Sequence, residues 1–253
     1  MFAMNAMAEP SAPDEPIADD RLLERVLTGS FAHLAGRIAI APPGPRAVAA
    51  ARLLDGPALA EALDLQAAPF GDADRRAVAS LWSQYYFGAL IGAVAAIGMA
   101  GGRTALPIDP DAAGIVLEGG LPAGLVLPHA GRTARPSEAA RDFIALFRSH
   151  LSPMVDRLSA HAKASPRLFW GNAAAVLGWA LGEACAMRPE AGDPALLRQL
   201  LLEDAQWPDG GPNPLVGALK SCDDPAVAVR RVCCVRYLLP GIPGCGPICP
   251  LGR

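Results

Sequence analysis

Residues 81–100 read LWSQYYFGALIGAVAAIGMA, and no charged side chain occurs anywhere between Arg76 and Arg103. A run this long and apolar approaches the thickness of a bilayer core, so it is either a membrane span or the axis of a buried protein core. Its first turn carries Ser83, Gln84, Tyr85 and Tyr86, and Gly88, Gly92 and Gly98 follow. The preceding DADRRAVAS already reads as the opening of the same helix. A helix surrounded by protein on all sides accounts for this better than a transmembrane segment. The helix is expected to start near Asp72 or Asp74. Gly101–Gly102 should end it, since glycine accepts the left-handed conformation of a helix C-cap. Peripheral contact with an inner membrane stays compatible with that reading.

Such a helix requires neighbours, and the flanking sequence supplies them. Leu22, Val26, Phe31 and Leu34 recur at helical intervals, and alanine-rich segments over 46–54 and 57–66 predict two shorter helices separated by Asp55-Gly56-Pro57. Ile144, Phe147 and Leu151 predict a helix after Pro136 that Pro153 breaks or restarts, its apolar face continuing through Met154 and Leu158. Ser165-Pro166 and Asp193-Pro194 each pair a capping residue with a first-turn proline and open two further helices. The β signal is a hairpin, Ile115–Leu117 and Leu125–Leu127 joined through Glu118-Gly119-Gly120. The expected class is α+β, predominantly α-helical with a small β-hairpin or sheet element and an irregular C-terminal metal-binding tail. The divisions are a disordered segment over 1–18, a mainly helical domain over 19–226 and the tail over 227–253.

Composition removes several function classes. The chain has 253 residues, 52% of them hydrophobic, and a formal charge of only -3, so it has material for a large core and no basic field to hold a phosphate backbone. Nucleic acid is not an expected partner. Neither a G-x-G-x-x-G between strand and helix nor a P-loop occurs. The N-terminus MFAMNAMAEPSAPDEPIADD lacks the cationic and apolar regions of a secretory signal. A cytoplasmic location is therefore expected, and in a reducing cytosol six cysteines read as thiols or metal ligands rather than disulfides.

Four of those cysteines form one motif. In AVRRVCCVRYLLPGIPGCGPICPLGR, Cys233, Cys234, Cys245 and Cys249 follow the spacing C-C-x10-C-x3-C. Four soft thiolates suit a tetrahedral zinc ion or a [2Fe-2S] cluster. Structural zinc sites draw on C-x2-4-C pairs, whereas side chains of adjacent extended residues diverge and suit a wider, two-iron target. Pro240, Gly241, Pro243 and Gly244 favour a folded-back connection between the two cysteine pairs. Arg230, Arg231 and Arg236 are candidates for tuning an anionic cluster or docking an electron donor, set against the plainer reading of solvated surface charge. Cys185 and Cys222 have no partner spacing. The four histidines, His33, His129, His150 and His161, show no mutual ligand spacing and receive no role, and Arg132 and Arg135 stay outside the site.

This tail resembles that of the FhuF-type ferric-siderophore reductase family, with LWSQYYFGAL and RLFWGNAAAVLGWAL resembling the family's other recurrent blocks. Three residues, Gly246, Pro247 and Ile248, separate the last two cysteines, where the family pattern has two. The resemblance implies a [2Fe-2S] cofactor on the four cysteines. It also implies one-electron reduction of ferric iron held by a siderophore, of hydroxamate type, with an unidentified electron donor and release of ferrous iron in the cytosol. The helical domain would then bind the siderophore, and Trp82, Tyr85, Tyr86, Trp170 and Asn172 are candidate contacts, although an aromatic stripe at helical spacing is more often core. Two other readings stand beside it. One is a non-enzymatic siderophore-binding or scaffold protein with a four-cysteine zinc clip, and the other is an electron carrier without a large pocket.

Overall fold

The charge-free run is a helix at the centre of the structure. The computed structural model describes residues 20–134, 138–220 and 229–252. The expected N-terminal segment over 1–18, Arg135, Pro136 and Cys222 lie outside the described residues. Helices α1 (Asp20–Val26), α2 (Ala50–Leu54) and α3 (Pro57–Ala67) precede α4 (Arg75–Ala93), which runs on as a wider π-helical segment over Val94–Ala100. Four more follow: α5 (Ala139–Ala145), α6 (Ser152–Ala162), α7 (Pro166–Met187) and α8 (Pro194–Arg198). The α5 and α8 helices also end in π-helical segments, Leu146–Leu151 and Gln199–Glu203.

Asp74 is the N-cap of α4, its carboxylate accepting the Arg76 N–H at 2.8 Å, and Gly102 at φ +66° follows its end as expected. By length and composition Arg75–Ala100 is able to cross a membrane, yet 72% of its apolar window is buried inside the fold. Trp82, Tyr86, Phe87, Leu90 and Ile91 are completely buried. The most extensive helix pairing is α4 against α7. Asn172, completely buried on α7, fixes it by donating through Nδ2 to the Ser80 carbonyl at 3.2 Å and to the Ser80 and Ser83 hydroxyls at 2.9 and 3.0 Å.

Among the described residues there are also six short strands: β1 (Ile38–Ile40), β2 (Ala47–Ala49), β3 (Arg103–Thr104), β4 (Gly114–Glu118), β5 (Leu121–Leu127) and β6 (Arg132–Thr133). The expected hairpin is β4–β5, turned by Gly119 at φ +55° and Gly120 at φ +82°. Gly120 has a second constraint, since a Cβ there would lie 2.1 Å from the Ala62 carbonyl of α3. Its own carbonyl accepts the Trp82 indole N–H at 3.0 Å, which ties the turn to α4. The hairpin is the middle of a four-stranded sheet in the order β1-β5-β4-β2, with β1 parallel to β5. A separate two-stranded sheet pairs β3 with β6.

Two expectations change here. The segment over 46–54 is not one helix, because Ala47–Ala49 pairs with Val116–Gly114 before α2 begins. The first helix stops at Val26, and Gly29 at φ +53° opens a separate 3-10 turn over Gly29–Leu34. That turn brings Leu34 against Gly92 of α4.

His150 and Tyr86 form a buried titratable pair in the core. His150 Nδ1–H donates to the Ile108 carbonyl at 2.6 Å, which leaves Nε2 to accept the Tyr86 hydroxyl proton. Burial lowers the His150 pKa and favours the neutral ring. With a depressed folded pKa, this contribution to stability is present above the ordinary histidine pKa near ~6.5 and is lost as pH falls from there through the folded value. Chemical denaturation is expected to show a steeper loss of stability between pH 7 and 5 in the native protein than in His150→Gln, by up to about 1 kcal/mol per pH unit. Glutamine can keep both hydrogen bonds, so parallel curves would rule this out.

Candidate functional site

The tail folds back through four observed turns. Val235 adopts φ +51°, a strained conformation for a β-branched residue, and its N–H thereby points to Cys233 Sγ at 3.4 Å. Arg236–Leu238 then forms a 3-10 turn, and Gly241 at φ +75° reverses the chain. Gly246 at φ +60° begins another 3-10 turn, Gly246–Ile248, and the Cys249 N–H closes it on the Gly246 carbonyl at 3.0 Å. The three-residue spacing between the last cysteines is thus absorbed by one turn. Arg230 N–H bonds to the Ile248 carbonyl at 3.2 Å, which draws the two cysteine-bearing segments together.

Cys234 Sγ and Cys245 Sγ lie 2.9 Å apart, as free thiols. Cys234 is 1% exposed and Cys249 8%, while Cys233 and Cys245 are half-buried, so the group has one side toward solvent. Burial raises the Cys233 thiol, and it raises Cys245 to about 12 with the neighbouring Cys234 adding to the effect. Without metal these thiols are protonated at neutral pH, and loading must displace the protons. Thiolates 2.3 Å from one tetrahedral metal stand about 3.8 Å apart, so Cys234 and Cys245 would separate slightly to share an ion. Among the described residues no three His, Cys, Asp or Glu side chains are gathered closely enough to hold a metal as they stand. The thiols would therefore close in on loading.

Arg230 is the strongest sign that a negative group belongs here. It is 3% exposed, and neither its Nε nor its Nη1 has a hydrogen-bond partner. A buried cation without a partner is costly, and thiolates in a cluster would supply the compensating charge. Its charge acts on both Cys233 and Cys245, opposing the effect of burial. Arg236 acts on Cys245 as well, and its guanidinium donates to the Pro243 and Gly244 carbonyls at 2.8 and 3.1 Å and to Gln84 at 3.2 Å. Arg231 differs from both, donating to the Gly217 carbonyl at 2.9 Å on the surface.

A cleft of about 450 Å³ adjoins the tail, with Arg236, Ile242 and Pro243 in its wall. Leu81, Gln84, Tyr85, Gly88 and Ala89 of α4 line one side, and Val176 and Trp179 of α7 another. Of the candidate substrate contacts, Tyr85 alone lines this cleft. Trp82 and Tyr86 stack on each other at 4.8 Å in the core, Asn172 is spent on Ser80 and Ser83, and Trp170 is 8% exposed. Arg37, His33, Gln84 and Trp179 line the cleft without having been singled out as contacts. Gln84, a polar side chain among apolar ones in the helix, was the available signal. Cys185 lies on α7 and donates weakly to the Gly192 carbonyl, apart from the tail.

Residues 80–224 match the family described as "Ferric iron reductase FhuF-like transporter". The chain belongs to the FhuF family. Over 175 residues it is 27% identical to a protein of Escherichia coli (strain K12) named "Ferric siderophore reductase". The alignment covers 68% of this chain and 65% of that relative, so the chain spans just under two thirds of the relative's length. The family match takes in the α4 and α7 walls of the cleft and ends before Cys233.

Proposed function

We propose that this FhuF-family chain reduces siderophore-bound ferric iron by one electron, using a [2Fe-2S] cluster held by Cys233, Cys234, Cys245 and Cys249. The observation that carries the proposal is the shared wall: the 450 Å³ cleft is bounded by Arg236, Ile242 and Pro243, which lie between the two cysteine pairs in the chain. Its volume suits a small molecule. An electron carrier that meets only proteins has no use for such a cleft.

When bound, the cluster supplies single electrons at a potential set by its surroundings. The chain's own contribution is placement and charge. Val235 N–H points at the Cys233 sulfur, Arg230 and Arg236 place two positive charges near the thiolates, and the half-buried sides of Cys233 and Cys245 leave access for a donor. Gln84 and Tyr85 line the cleft from α4, where the substrate would sit. Hydroxamate oxygens are hard donors that hold ferric iron far better than ferrous, so one added electron loosens the complex and frees the metal. The reading places this step in the cytosol, with peripheral membrane contact compatible and the electron donor a separate molecule.

The test is anaerobic purification followed by absorption and EPR spectra before and after dithionite, with iron, sulfide and zinc assayed on the same sample. About two irons and two sulfides per chain, with an EPR signal on reduction, are expected. A colourless protein holding one zinc after iron-replete anaerobic preparation would instead identify a scaffold with a structural zinc clip.

A further inference from the structure

The cleft beside the cysteine tail has a one-sided charge. Arg37 and Arg236 line it, and no aspartate or glutamate does. Arg37 is exposed and its guanidinium makes no hydrogen bond or ion pair with another described residue. Arg236 is held by carbonyls and by Gln84, so among the described residues no acidic side chain pairs with it. Arg230 and Arg236 both act on Cys245 and so face the negative charge that thiolates would bring, which leaves Arg37 as the cleft arginine available to a ligand. Tyr85 and Trp179 are 38% and 36% exposed and present apolar faces to the same space. Gly88 contributes only backbone to the floor, and nothing lies within 4 Å of where its Cβ would be. Aromatic faces hold the organic body of a chelate, and the Arg37 guanidinium discriminates by charge.

We infer that this cleft binds the ferric complex and selects complexes of net negative charge, with Arg37 as the side chain that reads the charge. The inference rests on the reductase reading above and narrows its substrate class. A ferric ion wrapped by three hydroxamates is neutral, so selection falls on chelates whose remaining arms add carboxylate or similar anionic oxygens. Arg37 suits the role because its exposed side chain stands on a surface segment beside β1, away from the core, so its replacement is expected to leave the fold intact.

The test separates binding from electron transfer by using gallium(III), which has the charge of ferric iron and is not reduced. The cluster-loaded full chain is titrated calorimetrically with two complexes built on one scaffold. The gallium complex of desferrioxamine B carries one positive charge, and that of its N-succinyl derivative carries one negative charge. The anionic complex is expected to bind about tenfold more tightly, equivalent to about 1.4 kcal/mol. The preference is expected to fall below about threefold in Arg37→Gln, to return in Arg37→Lys, and to shrink as salt is raised over a range that shortens the Debye length from about 10 Å to about 3 Å. Equal affinities, a preference for the cationic complex, no binding of either, or a preference that survives Arg37→Gln would overturn the inference. Iron, sulfide and EPR on the same preparation report on the reductase reading separately. A cluster-bearing chain that reduces both ferric complexes with equal KM leaves that reading intact and removes this one.

Discussion

Cys234→Ser is expected to strip the chain of iron and inorganic sulfide while leaving it folded. Cys234 is the most deeply buried of the four cysteines, 1% exposed, with its sulfur 2.9 Å from that of Cys245. Serine nearly matches cysteine in shape, yet its hydroxyl does not ionise near neutral pH and is a hard oxygen rather than a soft sulfur donor. Iron and sulfide should fall from about two each per chain to below about a tenth of that. Ferric-siderophore reduction should fall by at least about a hundredfold, since even partners outside the ligand set cost about 10–100-fold in metal sites. Cys185→Ser is the matched control. That thiol is also buried, donates weakly to the Gly192 carbonyl at 3.8 Å and lies outside the motif, so its replacement should leave metal content and turnover unchanged. Circular dichroism and a melting curve on both variants distinguish ligand loss from unfolding. A fully metallated, fully active Cys234→Ser protein would remove the four-cysteine centre from consideration.

The parts of this molecule that could be read ahead of the structure are those whose cause lies within a few residues. The α4 helix was legible because Asp74 caps it and Gly101-Gly102 ends it, and the β4–β5 hairpin because two adjacent glycines permit its turn. The three-residue strands β1 and β2 were not. Ala47–Ala49 carries the residues of a helix, and it is extended only because the distant β4 edge offers hydrogen-bond partners. Likewise β1 is set by a parallel pairing with β5, some eighty residues away in the chain.

The site divides the same way. Soft donors at close spacing announced the cysteine tail. The aromatic stripe of α4 did not announce which member faces the cleft, because a helix buried nearly all round has lost the periodicity that marks an open face. Trp82 and Tyr86 turn inward and Tyr85 outward, and Gln84 beside it was the better pointer. Arg37 reaches the same cleft from a different part of the chain, and no local pattern links it to α4.

Arg230→Met is expected to change sign with loading, and that reversal is the sharpest test of why a lone cation is buried there. In the metal-free protein Arg230 is 3% exposed and two of its nitrogens have no partner, so its charge is a cost to the fold. An apolar side chain of similar volume should stabilise the apo form by about 1–4 kcal/mol. At about 2–4 °C per kcal/mol for a chain of this size class, the rise is readily measured by calorimetry. In the loaded protein the same substitution removes a positive charge beside an anionic cluster whose reduced state carries one more negative charge. Unit charges about 6 Å apart at an effective dielectric of about 20 interact by about 2.8 kcal/mol, which for one electron is about 120 mV. With screening by the open side of the site, the midpoint potential should fall by about 50–120 mV in a redox titration followed by EPR. Two separate measurements thus move for one reason: apo stability rises because an uncompensated charge is gone, and the potential falls because the cluster has lost its compensation. If apo stability falls and the potential stays where it was, Arg230 is bound up in ordinary structure, and the buried charge gives no support to an anionic centre in this tail.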